Sequence, residues 1–392
     1  MAALIHHPAY ADYAFGDRHP FDPRRVEMTL DLLAGWGRPA EPVVPSLATR
    51  EEILSVHEDY YVRRVEALSA GESVPDATKY GLATADTPAF AGMDEAARWH
   101  VGGTMAAARL VWEGGARRVL QLGGGLHHAQ RNFASGFCVY NDLAIAVQWL
   151  ARRGTPVACV DIDVHHGDGV QQILYDDGRV MTVSLHESGR FLFPGTGEIH
   201  ELGSGLGRGL KLNVPLEPFT GGESYLEAFD AVVPAALRTF RPGVIVVQAG
   251  ADAHFEDPLA DLMLTTRDYE ALFRRLLRLA DELTAGRILF TLGGGYSLGA
   301  SARVWAILAL LVQDAPLPEL LPARWVERWS AHVDPARPFL HDPPGQPADR
   351  GDAPEIARRN RHTVERLLEA ARPYGMGVGA GAPSPGPPPG EP

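Results

Sequence analysis

The chain has 392 residues, 45% hydrophobic and 22% charged, with a formal net charge of −13. These proportions describe a folded globular chain, and the negative charge disfavours nucleic acid and anionic membranes as partners while admitting a basic one. No run of about 18 apolar residues occurs, which argues against a membrane-spanning helix, and residues 1–13 do not read as a signal peptide.

Residues 3–6 read as a short first strand, and 19–23 as a loop in which Pro20 and Pro23 block regular structure. Residues 24–35 read as a helix with Val26, Leu30 and Leu33 on one face. A second helix is expected over 49–67, with Thr49 as its N-cap ahead of Glu51 and Glu52. Residues 72–92 are polar, punctuated by Pro and Gly, and long for an irregular segment, which favours a functional role. The helix expected over 95–113 ends at Gly114-Gly115. Strands and helices then alternate. Strands are expected over 118–122, 157–163, 180–186, 243–247 and 287–292. Helices are expected over 141–152, 169–175, 223–240, 266–284 and 298–312, with a Gly-rich loop over 191–209. This alternation predicts an α/β fold, one central parallel sheet with helices on both faces. We expect one domain over 1–373 and a disordered Gly/Pro-rich tail over 374–392. Cys138 and Cys159 form no disulfide pattern and no CxxC, which fits a reducing cytoplasm. Lys79 and Lys211 are the only lysines, a bias that reads as genomic and not functional.

The unusual polar clusters all follow expected strands, where open parallel sheets bind ligands. The densest is the stretch 160–169, in which Asp161, Asp163, Asp168, His165 and His166 follow an apolar β-branched run. Unpaired buried carboxylates would cost several kcal/mol each, so a positive group is expected among them. In extended chain Asp163 and His165 point to one face and supply two ligands of a metal site. A calcium loop fits poorly, because the histidines do not suit its oxygen ligands. Gly123-Gly124-Gly125 leads into His127 and His128, a pair that reads either as functional or as buried structural histidines. Asp252, after Gly250, is either a third metal ligand or part of a turn. Tyr296, after Gly293-Gly294-Gly295, either presents a hydroxyl to a bound carbonyl or packs in the core. Gly203-x-Gly205-x-Gly207 does not join a strand to a helix and so is no dinucleotide fingerprint, and neither His-Glu-x-x-His nor Gly-x-Ser-x-Gly occurs.

Taken together, these clusters resemble the zinc-dependent histone deacetylase family. The motifs are Gly-Gly-Gly-Leu-His-His-Ala (123–129), Ala-Ser-Gly-Phe-Cys-Val-Tyr-Asn-Asp (134–142), Asp-Ile-Asp-Val-His-His-Gly-Asp-Gly (161–169), Phe-Pro-Gly-Thr-Gly (193–197), Gly-Ala-Asp (250–252) and Leu-Gly-Gly-Gly-Tyr (292–296). They occur in the family's order, the similarity covers roughly residues 3–310, and the N-terminal stretch resembles the bacterial acetoin-utilisation-type branch. The resemblance implies the arginase/deacetylase fold and a deacetylase catalytic domain over 1–373. It implies Zn2+ (Fe2+ as an alternative) on Asp163, His165 and Asp252. His128 would be the general base and His127 its neighbour, backed by Asp168 and Asp161 respectively. Tyr296 would bind the acetyl carbonyl. Gly136, Phe137 and Phe193 would line a tunnel for the acyl-lysine stem, Asp86 would grip the substrate backbone, and Arg25 would lie along an internal acetate exit. K+ would be held by Asp161, Asp163, His165, Ser184 and Leu185, and a second K+, mostly by backbone, at Leu174, Asp177 and Val180. Two aspartates neutralise the metal's charge, so a base is needed, and His128 with Asp168 behind it answers that need. The expected activity is hydrolysis of N-acetyl-lysine in a protein or peptide in the cytoplasm. The alternative is an acetylpolyamine or other small-molecule amidohydrolase of the same fold. A binuclear manganese ureohydrolase and a non-catalytic acyl-lysine-binding module rank below both.

Overall fold

The computed structural model describes residues 1–38, 41–348 and 350–375. In chain order its first elements are β1 (Ala2–Ile5), α1 (Arg24–Gly35), α2 (Arg50–Leu54), α3 (Asp59–Ser69), α4 (Met93–Glu113), β2 (Arg118–Gln121) and α5 (Asp142–Ala151). Then come β3 (Val157–Asp161), α6 (Asp168–Ile173), β4 (Val180–Glu187), β5 (Lys211–Leu216), α7 (Gly222–Phe240) and β6 (Val244–Gln248). The chain continues through α8 (Thr266–Leu283), β7 (Ile288–Thr291), α9 (Leu298–Val312), α10 (Ala323–Arg328) and α11 (Ala353–Ala371). Among the described residues the strands form one sheet in the order β1-β2-β7-β6-β3-β4-β5, with every neighbouring pair parallel.

Both faces of the sheet are covered. Along β6, Val244 and Val246 pack with α3, α4 and α5, whereas Ile245 and Val247 pack with α1, α7, α8 and α9. A strand buried on both sides reads as a continuous apolar run because no face meets water. Burying each such side chain is worth roughly 1.5–3 kcal/mol before chain entropy is counted. The fold is the expected α/β architecture, and the carboxyl ends of β2, β3, β6 and β7 lie together at one edge of the sheet.

Three local expectations change. The helix expected over 49–67 is two helices. Thr49 and Glu52 form a capping box on α2, but Val56 and His57 turn inward, and the His57 ring accepts a hydrogen bond from the Asn141 N–H at 2.9 Å. The strand expected over 157–163 ends at Asp161, because Asp163 Oδ1 accepts the His165 N–H at 3.0 Å and bends the chain. Asp163 and His165 therefore meet in a turn. Strand β5 and helix α11 are additional. Among the described residues strand β5 pairs only with β4, so it tolerates Pro215, and α11 packs against it and buries Val364, Leu367 and Ala371 in the same core. The tail expected from 374 lies, from residue 376 on, outside the described residues; Tyr374 itself ends a 3-10 turn, with its ring beside Gly209.

Candidate active site

Asp163 and His165 leave β3 together, and Asp252 follows β6, the next strand in the sheet. One ligand atom from each lies within 4.8 Å of the others, and all three residues are buried. Each carboxylate is fixed from behind. Asp163 Oδ2 accepts from Gln248 Nε2 and from the Gly294 N–H, both at 2.7 Å, and Asp252 Oδ1 accepts from the Val164 N–H at 3.0 Å. Glycine is required at two positions for this closeness. A Cβ on Gly250 would sit 2.7 Å from Asp163 Cγ, and one on Gly294 would sit 2.6 Å from Asp252 Cγ.

These donors fit a divalent cation. His165 Nδ1 lies 3.1 Å from both Asp163 Oδ1 and Asp252 Oδ2. Burial works against its charged form, yet the two carboxylates outweigh burial and hold His165 up to about 10. Burial and then the charge of Asp163 push Asp252 up to about 7. Two carboxylates converging in a buried site demand a positive charge there, and without one a proton supplies it. A ligand set of two carboxylate oxygens and one imidazole nitrogen leaves coordination positions open.

His127 and His128 stand beside this group on the loop after β2. His127 Nδ1 faces Asp161 at 2.7 Å, His128 Nδ1 faces Asp168 at 2.7 Å, and the two Nε2 atoms lie 3.0 Å apart. Burial disfavours charge on both. Asp161 and Asp163 overcome it at His127, which is held up to about 9. At His128 burial and the charge of His127 prevail over Asp168, and it falls to about 4. The loop is held by Asp142, which accepts from the Gly125 and Leu126 N–H groups at 3.0 and 2.8 Å, and by Asn141 Nδ2, which donates to the His127 and Ala129 carbonyls.

Tyr296 faces Phe137, ring centroids 5.8 Å apart, and its N–H donates to Asp257 Oδ2 at 2.7 Å. Burial, with Asp252 and Asp163 nearby, keeps its phenol well above 10, so it remains a donor. Phe193 packs edge-on against His128 at 5.0 Å and His165 at 6.2 Å. Phe193 is 44% exposed, so one side of its ring meets solvent while the other covers the histidines. Gly136 has φ +53°, and a Cβ there would lie 2.7 Å from His128 Cγ. The exposed Asp86 accepts the Gly136 N–H at 2.9 Å through Oδ2. The structure thus brings Asp86, Gly136, Phe137 and Phe193 to one opening above the histidines and Tyr296.

Arg25 is buried, donates to the Gly295 carbonyl at 3.1 Å and lies 4.3 Å from the Phe21 ring centre. It lines a cavity of about 260 Å³ with Tyr10, Phe21, His100, Gly123 and Leu292, on the inner side of the site. The β3–β4 register places Asp161 beside Ser184, with Leu185 next along the strand. Leu174, Asp177 and Val180 are linked by successive turns, but Lys211 Nζ donates to the Val180 carbonyl at 2.6 Å. Burial lowers the Lys211 ammonium to about 8 against the pull of Asp177 and Asp176, which leaves it protonated at neutral pH. His166, given no chemical role from sequence, holds Thr196 Oγ1 at 2.8 Å and so ties down the loop that carries Phe193.

Sequence reasoning did not single out Gln248, Asn141, Asp142 or Asp257. Each is a polar side chain within or next to a recognised cluster, and Gln248 in particular ends an otherwise apolar strand. That placement was the available signal.

The chain belongs to the histone deacetylase domain family, whose model matches residues 19–311. It is 41% identical to the acetoin utilization protein AcuC of Bacillus subtilis (strain 168), over 95% of this chain and 97% of that one. It is 39% identical to the AcuC of Staphylococcus aureus (strain MRSA252), over 83% and 86%. A crystal structure of a histone deacetylase homologue complexed with SAHA superposes with a TM-score of 0.81 at 26% identity, covering 92% of this chain and 99% of that one. The fold is the arginase/deacetylase fold, and the chain is a deacetylase-class hydrolase of the acetoin-utilisation type. Among the described residues no helix is long and apolar enough to cross a membrane.

Proposed function

We propose that this protein hydrolyses the amide of N-acetylated lysine side chains in proteins or peptides. Asp163, His165 and Asp252 would hold Zn2+, with Fe2+ as the other candidate. Asp161, Asp163, His165, Ser184 and Leu185 would hold a K+ that balances the remaining charge. The observation that carries the reading is a neutral, oriented His128 at the base of an opening walled by Phe137 and Phe193 and closed by Tyr296.

The bound divalent ion supplies Lewis acidity toward the acetyl carbonyl and the attacking water. The protein's groups do the rest. Phe137 and Phe193 enclose the methylene stem of the acyl-lysine and exclude water. Asp86, exposed at the rim, takes the N–H groups of the substrate backbone. His128 donates Nδ1–H to Asp168, which leaves Nε2 as the acceptor for the proton of the attacking water. The Tyr296 hydroxyl donates to the oxygen on which charge develops. His127, cationic against Asp161, favours the negative transition state and keeps His128 neutral until the proton arrives. A histidine then returns a proton to the departing amine. Acetate leaves along the inner cavity lined by Arg25, whose guanidinium suits an anion.

The test is a steady-state comparison of an acetyl-lysine peptide with acetylputrescine on metal-loaded protein. A higher kcat/KM on the peptide supports the reading. A clear preference for acetylputrescine replaces it with the small-molecule amidohydrolase alternative.

A further inference from the structure

We infer that Lys211 is a tethered monovalent cation, its ammonium standing where the family resemblance places a second potassium ion. The inference rests on the family assignment and is independent of which acetylated substrate is used.

Lys211 opens β5, opposite Thr182 of β4, and is fully buried at 0% exposure. Its Nζ donates to the Val180 carbonyl at 2.6 Å, and no ion pair joins it to a carboxylate among the described residues. The nearby Asp177 carboxylate is instead engaged by Arg179 at 2.7 Å. A buried ammonium without a paired carboxylate is costly unless dipoles take the place of water. The Val180 carbonyl supplies one. Leu174 closes α6, and two turns follow, Asp177 N–H to the Leu174 carbonyl at 3.2 Å and Val180 N–H to the Asp177 carbonyl at 3.3 Å. Leu174 caps the carboxyl end of α6, Asp177 lies in the turn that follows and Val180 opens β4, so the three carbonyls recur every third residue along one short connection. They belong to the three residues expected to hold the second K+.

The ammonium and a potassium ion are alternatives there. Two unit charges a few ångströms apart in a buried site repel by several kcal/mol, and Val180 already accepts from Lys211. The residue type fits the same reading. Of 36 Lys and Arg residues only Lys79 and Lys211 are lysine. Lys79 is exposed, whereas at Lys211 a compact charge on a thin stem reaches one buried carbonyl, a geometry the planar guanidinium fork does not match. The arginine bias is therefore general, and Lys211 is a functional exception to it. The consequence is a β4–β5 junction locked without salt, and one monovalent cation per chain in place of two.

Two measurements test this. Crystals of the wild-type protein soaked in thallium acetate should show one anomalous monovalent site per chain, near Asp161 and Ser184, and none at Val180. Thermal unfolding is then followed in KCl and in choline chloride at equal ionic strength. Relative to wild type, Lys211→Ala should lose several degrees of Tm in choline and regain part of that loss specifically in KCl. Lys211→Met, which fills the space without charge, should lose stability equally in both salts. A thallium site against the Val180 carbonyl in wild type would overturn the inference. So would a Lys211→Ala variant whose response to K+ equals that of wild type. If Lys211→Ala does not fold, the thallium count in wild type decides alone.

Discussion

The Nε2 atoms of His127 and His128 lie 3.0 Å apart, while their Nδ1 atoms face different carboxylates, Asp161 and Asp168, each at 2.7 Å. Two imidazolium ions repel each other across that contact, so in the resting site the pair divides its protonation. The more deeply buried carboxylate, Asp161, lies with His127, and the proton settles there. His128 is left as the acceptor.

The division predicts a pH effect. The charge on His127 lowers the pKa of His128, so removing it should raise that pKa. In His127→Ala the acid limb of kcat/KM should move up by roughly 1–3 pH units. The profile is measured on an acetyl-lysine peptide, with residual activity sufficient for it. An unmoved limb would mean that His127 carries no proton in the working enzyme.

Tyr296 should act on turnover alone. Its ring packs on Phe137 and its N–H is held by Asp257, so Tyr296→Phe keeps both contacts and loses only the hydroxyl. We expect kcat to fall by about 10²–10³ with metal content unchanged by elemental analysis. Full activity in this variant would remove the hydroxyl from the reaction.

Gly136 should tolerate no side chain. A Cβ there would press on His128 Cγ at 2.7 Å and on Phe193 Cε1 at 3.0 Å. Gly195 is the matched control: its φ of +81° carries similar backbone strain, but the nearest atom to its Cβ would be 3.8 Å away. Gly136→Ala should lower kcat/KM about 10²-fold through displacement of His128, and Gly195→Ala should change it little. Equal losses in both would assign the effect to strain and not to the contact.

The fold was legible because period and punctuation agree. The apolar runs before residues 123, 161 and 293 end in glycine or aspartate, that of β6 ends in Gln248 two residues ahead of Gly250, and the structure gathers those ends at one edge of the sheet. The residues that hold the site from behind were less legible. Gln248 and the Gly294 N–H meet on the Asp163 carboxylate, and Asp257 holds the Tyr296 N–H, all partners far away in sequence, and no local spacing records such a contact. Strand β5 was missed for a related reason: Lys211 and Asn213 interrupt its apolar pattern, yet both are buried and bonded to β4, α6 and the loop after β4. The break between α2 and α3 follows from His57, whose partner Asn141 lies more than eighty residues on in the chain, at |i−j| = 84.

Metal binding should release protons. In the metal-free site His165 is held up to about 10 and Asp252 up to about 7, so at pH 7 His165 is protonated and Asp252 partly so. A metal ion needs neutral imidazole and ionised carboxylate, so it must displace those protons. Between pH 7 and 9 the zinc affinity should rise about tenfold per pH unit. Calorimetric titration in two buffers of different ionisation enthalpy should give a release of at least about one proton per ion bound at pH 7. Zero release would mean that His165 is neutral in the metal-free protein.

Asp342 should set the acid stability of the loop beyond Asp252. It accepts from Arg303 Nη1 at 2.7 Å and from the Thr266 N–H at 2.8 Å, and it faces His254 Nε2 at 2.9 Å. Burial raises its pKa, but His254 and Arg303 outweigh burial and hold it well below the usual 3.8. A group whose folded pKa is depressed stabilises the fold above its unfolded value and loses that contribution as pH falls toward the folded one. The Asp342 contribution should therefore be constant above about pH 5 and shrink steadily below pH 4. Asp342→Asn leaves the buried Arg303 without its nearest carboxylate and should cost about 3–5 kcal/mol at pH 7 in urea unfolding. The gap between wild type and variant should narrow in acid. A gap that stays constant down to pH 3 would show that Asp342 contributes through packing and not through its charge.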